Sequence, residues 1–365
     1  MMKPDSEVAL AEAVASAKSP LRIQGGGTRP IGHAEGEVLS TTGLSGIELY
    51  EPGALTLVAK AGTPISVIEA ALAKENQRLP FEPMDHRALL GTSGEPTIGG
   101  VVATNASGPR RIQAGACRDS LIGVRYVDGQ GAIIKNGGRV MKNVTGYDLV
   151  KLLAGSYGTL GVLSEVGFKV LPGIEATATL VLHGLDVQRA VEAMSKALGS
   201  PFEISAAAQF PDEGKTTLRL EGFEASVKYR MTQLRVLLDG FGDMEELQGE
   251  ASKKLWTATR DVTHFAGAEG DIWRISVKPS DAPAVVSHLP GGSKLSLDWG
   301  GGLVWVVAPK GADIRSAISH VSGHATCLRG AAATFQPEPA QLAVISKGLR
   351  AQFDPRGILN AGLMG

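Results

Sequence analysis

Cysteine is scarce in this chain: two residues, Cys117 and Cys327, occur among 365. An iron-sulfur cluster usually requires about four thiolate ligands, so the chain is not expected to hold a cluster of its own. Residues 1–18 carry acidic side chains among apolar ones and lack the basic head and apolar core of a signal peptide. Two buried free thiols are therefore favoured over a disulfide, and a reducing, cytoplasmic location is expected.

The chain also lacks an excess of charge and any long apolar run. Lys and Arg number 36 against 37 for Asp and Glu, so no large field attracts nucleic acid or an anionic membrane surface. Apolar runs such as residues 57–61 and 303–308 have the length of strands. A helix that crosses a bilayer needs about 20 residues, so no transmembrane segment is expected.

Glycine, by contrast, is abundant, with 47 residues. Three groups of glycines each lie close to a predicted strand, and they are predicted to form turns. These groups fall within residues 25–27, 98–100 and 155–161. A further glycine-containing turn separates predicted strands at 121–127 and 132–135, which is a strong hairpin signal.

The pattern changes after Pro172 and Gly173, where predicted strands begin to alternate with amphipathic helices. The predicted strands of this part are residues 176–183, 216–220, 271–277, 294–298 and 303–308, and the predicted helices are residues 186–198, 224–239, 245–260 and 339–352. This alternation is typical of an α+β domain. The length of the chain allows two domains, and α+β is the expected fold class.

Glycine turns allow backbone N–H groups to approach a diphosphate closely, and successive N–H groups form anion-binding concavities. One such turn is weak evidence, because short glycine motifs also occur in ordinary surface turns. The first group, residues 25–30, lacks the GxGxxG spacing of a nicotinamide dinucleotide site and the GK[ST] ending of a P-loop. Neither a Rossmann site nor a P-loop is therefore supported.

Five ordered segments carry a family resemblance. They are LRIQGGGT at 21–28, LTLVAKAGTPISVIEAALAKENQRLPFEP at 55–83, TIGGVVATNASGPRR at 97–111, KNVTGYDLVKLLAGSYGTLGVL at 142–163 and FDPRGILNAG at 353–362. With these segments the chain resembles the vanillyl-alcohol oxidase and p-cresol methylhydroxylase (PCMH-type) flavoproteins, and within them the FAD-binding subunits of glycolate oxidases. Most of residues 1–172 and the extreme C-terminus are covered.

The resemblance implies a two-lobed PCMH-type FAD-binding domain at residues 1–172, with a smaller α+β cap domain containing an antiparallel sheet at 173–335. Residues 336–365 would return to the FAD-binding domain. Non-covalently bound FAD is the implied cofactor, because Thr28 stands where many relatives have a histidine that tethers the flavin. The nearest histidine, His33, is interpreted as a loop residue.

The same resemblance implies which residues contact FAD. The diphosphate would be surrounded by Gly25, Gly26, Gly27 and Thr28. The diphosphate and flavin side would be lined by Thr97, Ile98, Gly99, Gly100, Asn105, Ser107 and Gly108, and the adenosine end would be met by Gly161 and Val162. Small residues admit a cofactor, and Asn or Ser can donate hydrogen bonds to it. Asn105 and Ser107 are also the residue types that cap turns, and this alternative stays open.

No catalytic residue can be assigned from the sequence. Oxidation of a 2-hydroxy acid needs a base or a metal for the hydroxyl proton and a cation for the carboxylate. The HxGDGN-type metal motif of related 2-hydroxy-acid dehydrogenases is absent from this sequence. His320 and His324 have i, i+4 spacing for a shared metal, yet no carboxylate lies near them, and a solvated helix face is favoured, so no metal site is expected.

Several arginines and aromatic residues stay unassigned at this stage. Arg274 beside Trp273, and Trp299 beside Asp298, could lie near a flavin or could pack within strands. Arg110 and Arg111 suit a phosphate, a substrate carboxylate or an exposed ion pair. For each of these pairs, the sequence does not decide between these roles.

Relatives of this type work in complexes, and the resemblance implies the partners. They are a larger FAD-binding glycolate oxidase subunit and an iron-sulfur subunit, and the complex oxidises glycolate, a small 2-hydroxy acid, to glyoxylate. Through the complex, the chain could be peripheral on the inner membrane. Two alternatives are a self-sufficient FAD-dependent dehydrogenase for D-lactate or glycolate and a non-catalytic scaffold subunit.

Overall fold

A computed structural model describes residues 1–138 and 146–364 of the chain. Within these residues the helices are α1 (Glu7–Ser16), α2 (Ile65–Lys74), α3 (Arg87–Leu90), α4 (Ile98–Thr104), α5 (Arg111–Ala114), α6 (Cys117–Ser120), α7 (Leu149–Leu153), α8 (Val187–Leu198), α9 (Glu224–Leu237), α10 (Gly249–Asp261), α11 (Ala282–His288), α12 (Ile314–Ala317) and α13 (Ala340–Phe353). Residues 142–145, which open the fourth family segment, lie outside the described residues.

The strands within the same residues are β1 (Leu21–Gln24), β2 (Glu37–Ser40), β3 (Ile47–Glu51), β4 (Thr56–Lys60), β5 (Gln77–Arg78), β6 (Leu121–Val127), β7 (Ile133–Gly137), β8 (Val162–Lys169), β9 (Leu171–Pro172), β10 (Ala176–His183), β11 (Ala206–Phe210), β12 (Lys215–Gly222), β13 (Met244–Gln248), β14 (Asp271–Val277), β15 (Lys294–Asp298), β16 (Leu303–Ala308) and β17 (Gly323–Arg329). They form two large sheets and two short strand pairs.

The first large sheet has the strand order β3-β4-β8-β6-β7 and is antiparallel. Leu57 of β4 and Phe168 of β8 are fully buried and pack with apolar residues of α2, α4 and α7 in one core. Strands β6 and β7 form the hairpin that the sequence predicted, with Val127 paired to Ile133. This sheet and its helices hold the end of β8 close to α4.

A parallel pair, β1 and β2, packs beside this sheet together with α1. The C-terminal residues complete the arrangement, since Leu359 forms a bridge with Leu21 and the Asn360 side chain accepts from the Ile23 N–H at 2.7 Å. The start and the end of the chain therefore meet at β1, directly before the first glycine group.

The second large sheet is antiparallel and has the order β13-β10-β12-β11-β15-β16-β14-β17. Its two faces pack in different apolar cores, because successive side chains of β14 lie on opposite faces of the sheet. Trp273 and Ile275 enter a core that includes α8, α9 and α11, whereas Ile272 enters a smaller core with Ile31 and Met84 from the first part of the chain. The second face therefore covers the region of the glycine groups.

The α+β fold class is confirmed, as is the antiparallel sheet in the second part of the chain. Both cysteines are free and buried, as expected. No helix in residues 1–138 or 146–364 is long and apolar enough to cross a membrane. The domain boundaries at residues 172 and 335 stay predictions.

Some predicted elements were wrong. The second glycine group is not a turn, because Gly99 and Gly100 lie in the first turn of α4. The helix predicted at 245–260 begins only at Gly249, since the preceding residues pair with β10 as an edge strand. His320 and His324 do not share a helix, because His324 lies in β17 and pairs with Ser276.

Candidate FAD-binding site

Three segments that are far apart in the sequence line one cavity of about 250 Å3. They are the turn after β1, the start of α4 and the loop before β8. The predicted site residues that line this cavity are Gly25, Gly26, Gly27, Thr28, Thr97, Gly99, Gly100 and Gly161. The structure thus brings all three glycine groups to one place.

The turn after β1 presents a row of backbone donors. The N–H groups of Gly25, Gly26, Gly27 and Thr28 donate to no acceptor within residues 1–138 and 146–364. Gly27 has a φ of +73°, a conformation that glycine adopts at little cost. Successive N–H groups without protein partners are rare in folded chains and suit an anion such as a diphosphate.

The start of α4 allows close approach on both of its sides. Thr97 caps the helix, with its hydroxyl accepting from the Gly100 N–H at 3.4 Å. At Gly99 a Cβ would lie 2.7 Å from the Ala61 Cβ, so this glycine lets the helix pack on β4. At Gly100 a Cβ would meet only the Thr97 hydroxyl within 4 Å, at 3.3 Å, so Gly100 leaves room in the cavity.

The loop before β8 carries a strained residue into the cavity. Tyr157 has a φ of +53°, which is costly for a residue other than glycine. Its backbone is fixed on both sides, because its N–H donates to the Ala103 carbonyl at 2.8 Å and its carbonyl accepts from the Asn360 side chain at 2.6 Å. Strain that the surrounding structure maintains is typical of ligand sites.

The other predicted site residues do not line the cavity. Ile98 and Val162 are fully buried in apolar cores. The Asn105 side-chain oxygen Oδ1 accepts from the Arg118 N–H at 3.0 Å, and the Ser107 hydroxyl accepts from the Cys117 N–H at 2.9 Å. These two side chains therefore cap α6, the alternative that the sequence left open.

Gly108, the remaining predicted site residue, lies at the boundary with the second sheet. Its carbonyl accepts from the Trp299 indole N–H at 3.1 Å. A Cβ at this position would lie 2.7 Å from the Glu82 carbonyl oxygen, so close packing explains why glycine occurs here. The cofactor roles predicted for Gly108 and the other residues stay predictions.

Arg29 lines the same cavity and was missed by sequence reasoning. Its guanidinium donates to the His86 ring at 3.0 Å and to the carbonyls of Gly100 and Met84, both at 3.2 Å. Burial lowers its pKa to about 10. No carboxylate forms a salt bridge with Arg29 in the described part of the chain, so a positive charge remains uncompensated beside the cavity. Its position directly after Thr28 was the available signal.

A second cavity of about 1120 Å3 adjoins the first, and the two share Pro30, Gly32, His33 and Leu363 as lining residues. The second cavity extends to Phe335, whose ring lies 4.8 Å from the Tyr157 ring in an edge-to-face contact. An elongated ligand can therefore extend from the glycine turn toward the edge of the second sheet. His33 is exposed at the border between the two cavities.

The described residues contain no group of three or more His, Cys, Asp or Glu side chains that could hold a metal ion. The histidine pair considered from the sequence is separated, and the His320 ring instead contacts the His288 ring at 4.1 Å. The residues at the glycine cavity, which are backbone donors, small side chains and one buried cation, fit an anionic dinucleotide.

Comparison with known proteins agrees with this geometry. Residues 1–137 match the FAD binding domain family. Among solved structures, an alkyldihydroxyacetonephosphate synthase superposes with a TM-score of 0.70 at 14% identity, covering 99% of this chain and 76% of that chain. Glucooligosaccharide oxidase from Acremonium strictum superposes with a TM-score of 0.64 at 14% identity, covering 99% of this chain and 90% of that chain. The fold is thus that of the PCMH-type FAD-binding proteins, and the chain is an FAD-dependent oxidoreductase by class.

Sequence relatives narrow this class. Glycolate oxidase subunit GlcE of Escherichia coli (strain K12) is 38% identical, over 99% of this chain and 97% of that protein. A D-lactate dehydrogenase of Archaeoglobus fulgidus is 31% identical over 50% of this chain and 41% of that protein. Glycolate oxidase subunit GlcD of Bacillus subtilis is 32% identical over 43% of this chain and 33% of that protein. The chain belongs to the family of FAD-binding glycolate oxidase subunits that includes GlcE.

Proposed function

We propose that this chain is the FAD-binding subunit of a glycolate oxidase complex, in which it binds one FAD non-covalently and passes electrons to a partner. The observation that carries the proposal is the row of unpartnered N–H groups at Gly25, Gly26, Gly27 and Thr28 in a cavity built from three glycine segments. Similarity to GlcE along 99% of the chain supports the assignment to glycolate oxidase.

In this proposal the N–H groups of residues 25–28 would donate hydrogen bonds to the diphosphate, and Arg29 would compensate part of its charge from the cavity wall. Gly100 and Gly161 leave space for the cofactor, and Tyr157 lies where the first cavity opens toward the second. Bound FAD would supply a two-electron acceptor. Conversion of glycolate to glyoxylate removes two electrons and two protons, so the acceptor must pass both electrons onward before the next turnover.

The proposed partners are the larger FAD-binding glycolate oxidase subunit and an iron-sulfur subunit. With two cysteines, the chain does not supply the four thiolates of a typical cluster, so an iron-sulfur cluster of the complex would belong to another chain. We propose that any peripheral association with the inner membrane occurs through these partners.

Helix α13 supports an assembly role. None of its residues is buried, although 14-residue helices normally bury one face. Leu342, Ile345 and Leu349 repeat at helical spacing and are exposed. We propose that this apolar surface of α13 contacts a partner subunit.

The experiment that tests the proposal compares the purified chain alone with the chain co-expressed with both partner subunits. We expect about one FAD per chain in both samples, and glycolate-dependent reduction of a dye acceptor at full rate only in the complex. Acid precipitation should release the flavin completely in wild type and in His33→Ala, because no covalent bond to His33 is proposed.

Other results would support the alternatives. Turnover by the isolated chain at the rate of the complex would indicate a self-sufficient 2-hydroxy-acid dehydrogenase. A chain that stays colourless after reconstitution with FAD, yet assembles with the partners, would indicate a scaffold subunit. Flavin that stays attached after acid precipitation would contradict non-covalent binding.

A further inference from the structure

Two arginines, Arg111 and Arg274, stack on the same indole at the boundary between the two large sheets. Arg111 belongs to α5 and Arg274 to β14, so they come from opposite sides of the boundary between the two large sheets. The guanidinium carbon of Arg111 lies 4.6 Å from the centroid of the Trp299 ring, and that of Arg274 lies 5.1 Å from it. Both guanidinium groups therefore stack on one indole.

Neither guanidinium has an acidic partner in the part of the chain that the structure describes, where the stacking on the indole is their only polar contact. Neighbouring arginines differ, since Arg110 and Arg219 both pair with Glu82, at 3.3 and 2.9 Å. Burial lowers the pKa of Arg274 to about 10. Both residues are partly exposed, so their donors are open to a ligand, and an anion there would supply the counter-charge that the described residues do not.

The acids that act on these arginines from a distance are engaged elsewhere. Asp298 acts on Arg274, yet its Oδ1 accepts from the Trp299 N–H at 2.7 Å. Asp119 acts on Arg111, yet its Oδ2 accepts from a backbone N–H at the start of α6 at 2.8 Å. Neither acid forms a salt bridge with them, so the donors of both guanidinium groups remain available.

The indole that holds the pair is rigid. Trp299 has a φ of +54°, which is strained for a residue with a side chain. Its ring N–H donates to the Gly108 carbonyl at 3.1 Å, across the boundary between the sheets. The surrounding structure therefore maintains a costly conformation that fixes the stacking surface, as is typical of ligand sites.

The indole on which the pair stacks lies close to the glycine cavity. Trp299 belongs to the same apolar cluster as Ile31, and Ile31 lines the cavity. The positive charge of Arg274 also opposes the rise that burial causes in the pKa of the Tyr157 phenol, and Tyr157 lines the same cavity. An anion held at this indole would therefore lie near the glycine cavity.

We propose that Arg111 and Arg274 bind the carboxylate group of a small hydroxy acid at the boundary between the glycine cavity and the eight-stranded sheet. Guanidinium groups match a carboxylate with paired, charge-assisted hydrogen bonds. The cofactor's diphosphate does not need this pair, since residues 25–28 supply its donors. This inference rests on the proposed function for the identity of the acid, and it assigns substrate binding to this chain rather than to its partner alone.

The test uses the full FAD-loaded chain and titrates it with oxalate, a carboxylate that cannot undergo hydroxy-acid oxidation. Binding is followed by the flavin difference spectrum and by calorimetry. We expect saturable binding in wild type and a Kd at least about tenfold higher in Arg111→Met and Arg274→Met, the loss expected for one charge-assisted contact. The control Arg235→Met, an exposed position on α9, should bind like wild type.

Arg274→Lys retains the charge but not the paired donors, so we expect an intermediate Kd in a variant whose packing is less disturbed. Equal Kd values in wild type and both Met variants would overturn the proposal, and so would sulfate binding as tight as oxalate at the same residues. A chain that binds oxalate in calorimetry but holds no flavin would contradict the proposed function while supporting the arginine site.

Discussion

Glu82 accepts two hydrogen bonds from the Arg219 guanidinium, both at 2.9 Å, and thereby joins the FAD-binding part of the chain to the eight-stranded sheet. Burial alone would raise the pKa of Glu82, but Arg219 and Arg110 outweigh it and lower the pKa to about 2. The two parts of the chain are therefore fastened by a buried ion pair close to the arginines discussed above.

Replacing this carboxylate should strongly destabilise the protein. We expect Glu82→Gln to lower the free energy of unfolding by about 1.5–3 kcal/mol, because Arg110 and Arg219 each lose one of their two carboxylate partners and keep only Glu221. The exposed variant Glu51→Gln serves as the control and should change the free energy by less than about 0.5 kcal/mol. Urea unfolding followed by circular dichroism measures both; equal stabilities would show that the pair is not structurally important.

Asp298 should make stability depend on pH in the opposite sense to Glu82. Burial raises its folded-state pKa from 3.8 to about 7, so the folded state binds the proton more tightly than the unfolded state. Its contribution to stability is complete below about pH 4 and is lost as the pH rises through 7.

We therefore expect Asp298→Asn, which keeps an acceptor for the Trp299 N–H, to remove this loss. The difference in free energy of unfolding between variant and wild type should therefore favour the variant more at pH 8 than at pH 4, by up to about 4 kcal/mol. Unfolding curves at both pH values measure the difference, with the exposed Asp239→Asn as control. A difference that is the same at both pH values would contradict a raised pKa.

Gly100 offers a clean test of the cavity. A Cβ there would meet only the Thr97 hydroxyl within 4 Å, whereas a Cβ at Gly26 would lie 1.7 Å from the Glu95 carbonyl oxygen and would disturb the fold itself. We expect Gly100→Val to unfold like wild type within about 1 kcal/mol but to bind FAD at least about tenfold more weakly.

Its control is Gly53→Val, because a Cβ at Gly53 has nothing within 4 Å and lies away from the cavity. Flavin fluorescence during titration of the apoprotein measures the Kd of each variant. If Gly100→Val binds FAD with the same Kd as wild type, the cofactor binds in another part of the molecule.

The apolar surface of α13 predicts an assembly variant. We expect Ile345→Asp to reduce co-purification with the partner subunits at least about tenfold, because a charge would be placed in an apolar contact. Flavin content should stay unchanged. Val236→Asp, at an equally exposed position on α9, is the matched control; equal recovery of the complex with both variants would exclude α13 from the interface.

The three glycine segments could be picked out from the sequence because their order along the chain is distinctive, and they line one cavity; their contact with FAD stays a prediction. The pairing of Arg111 with Arg274 could not be found in this way, since 162 residues and a fold boundary separate them and neither belongs to a motif. Tyr157 lies within a motif, but its strained φ is a property of the folded chain alone.

The prediction that His320 and His324 share a helix was wrong for a related reason. Two histidines four residues apart can lie in a helix or in a turn followed by a strand, and the spacing does not distinguish the two. Here residues 323–329 form a strand because they hydrogen-bond to β14, so tertiary pairing rather than local spacing decides their conformation. The edge strand β13 was missed similarly, because pairing with β10 decides its conformation rather than its composition.

A crystal structure of the flavin-loaded chain would show directly where the cofactor binds. We expect diphosphate oxygens within hydrogen-bond distance of the N–H groups of Gly25, Gly26, Gly27 and Thr28, with the flavin ring extending toward Tyr157. FAD bound at another cavity, or these four N–H groups occupied by protein acceptors in the loaded structure, would contradict this prediction.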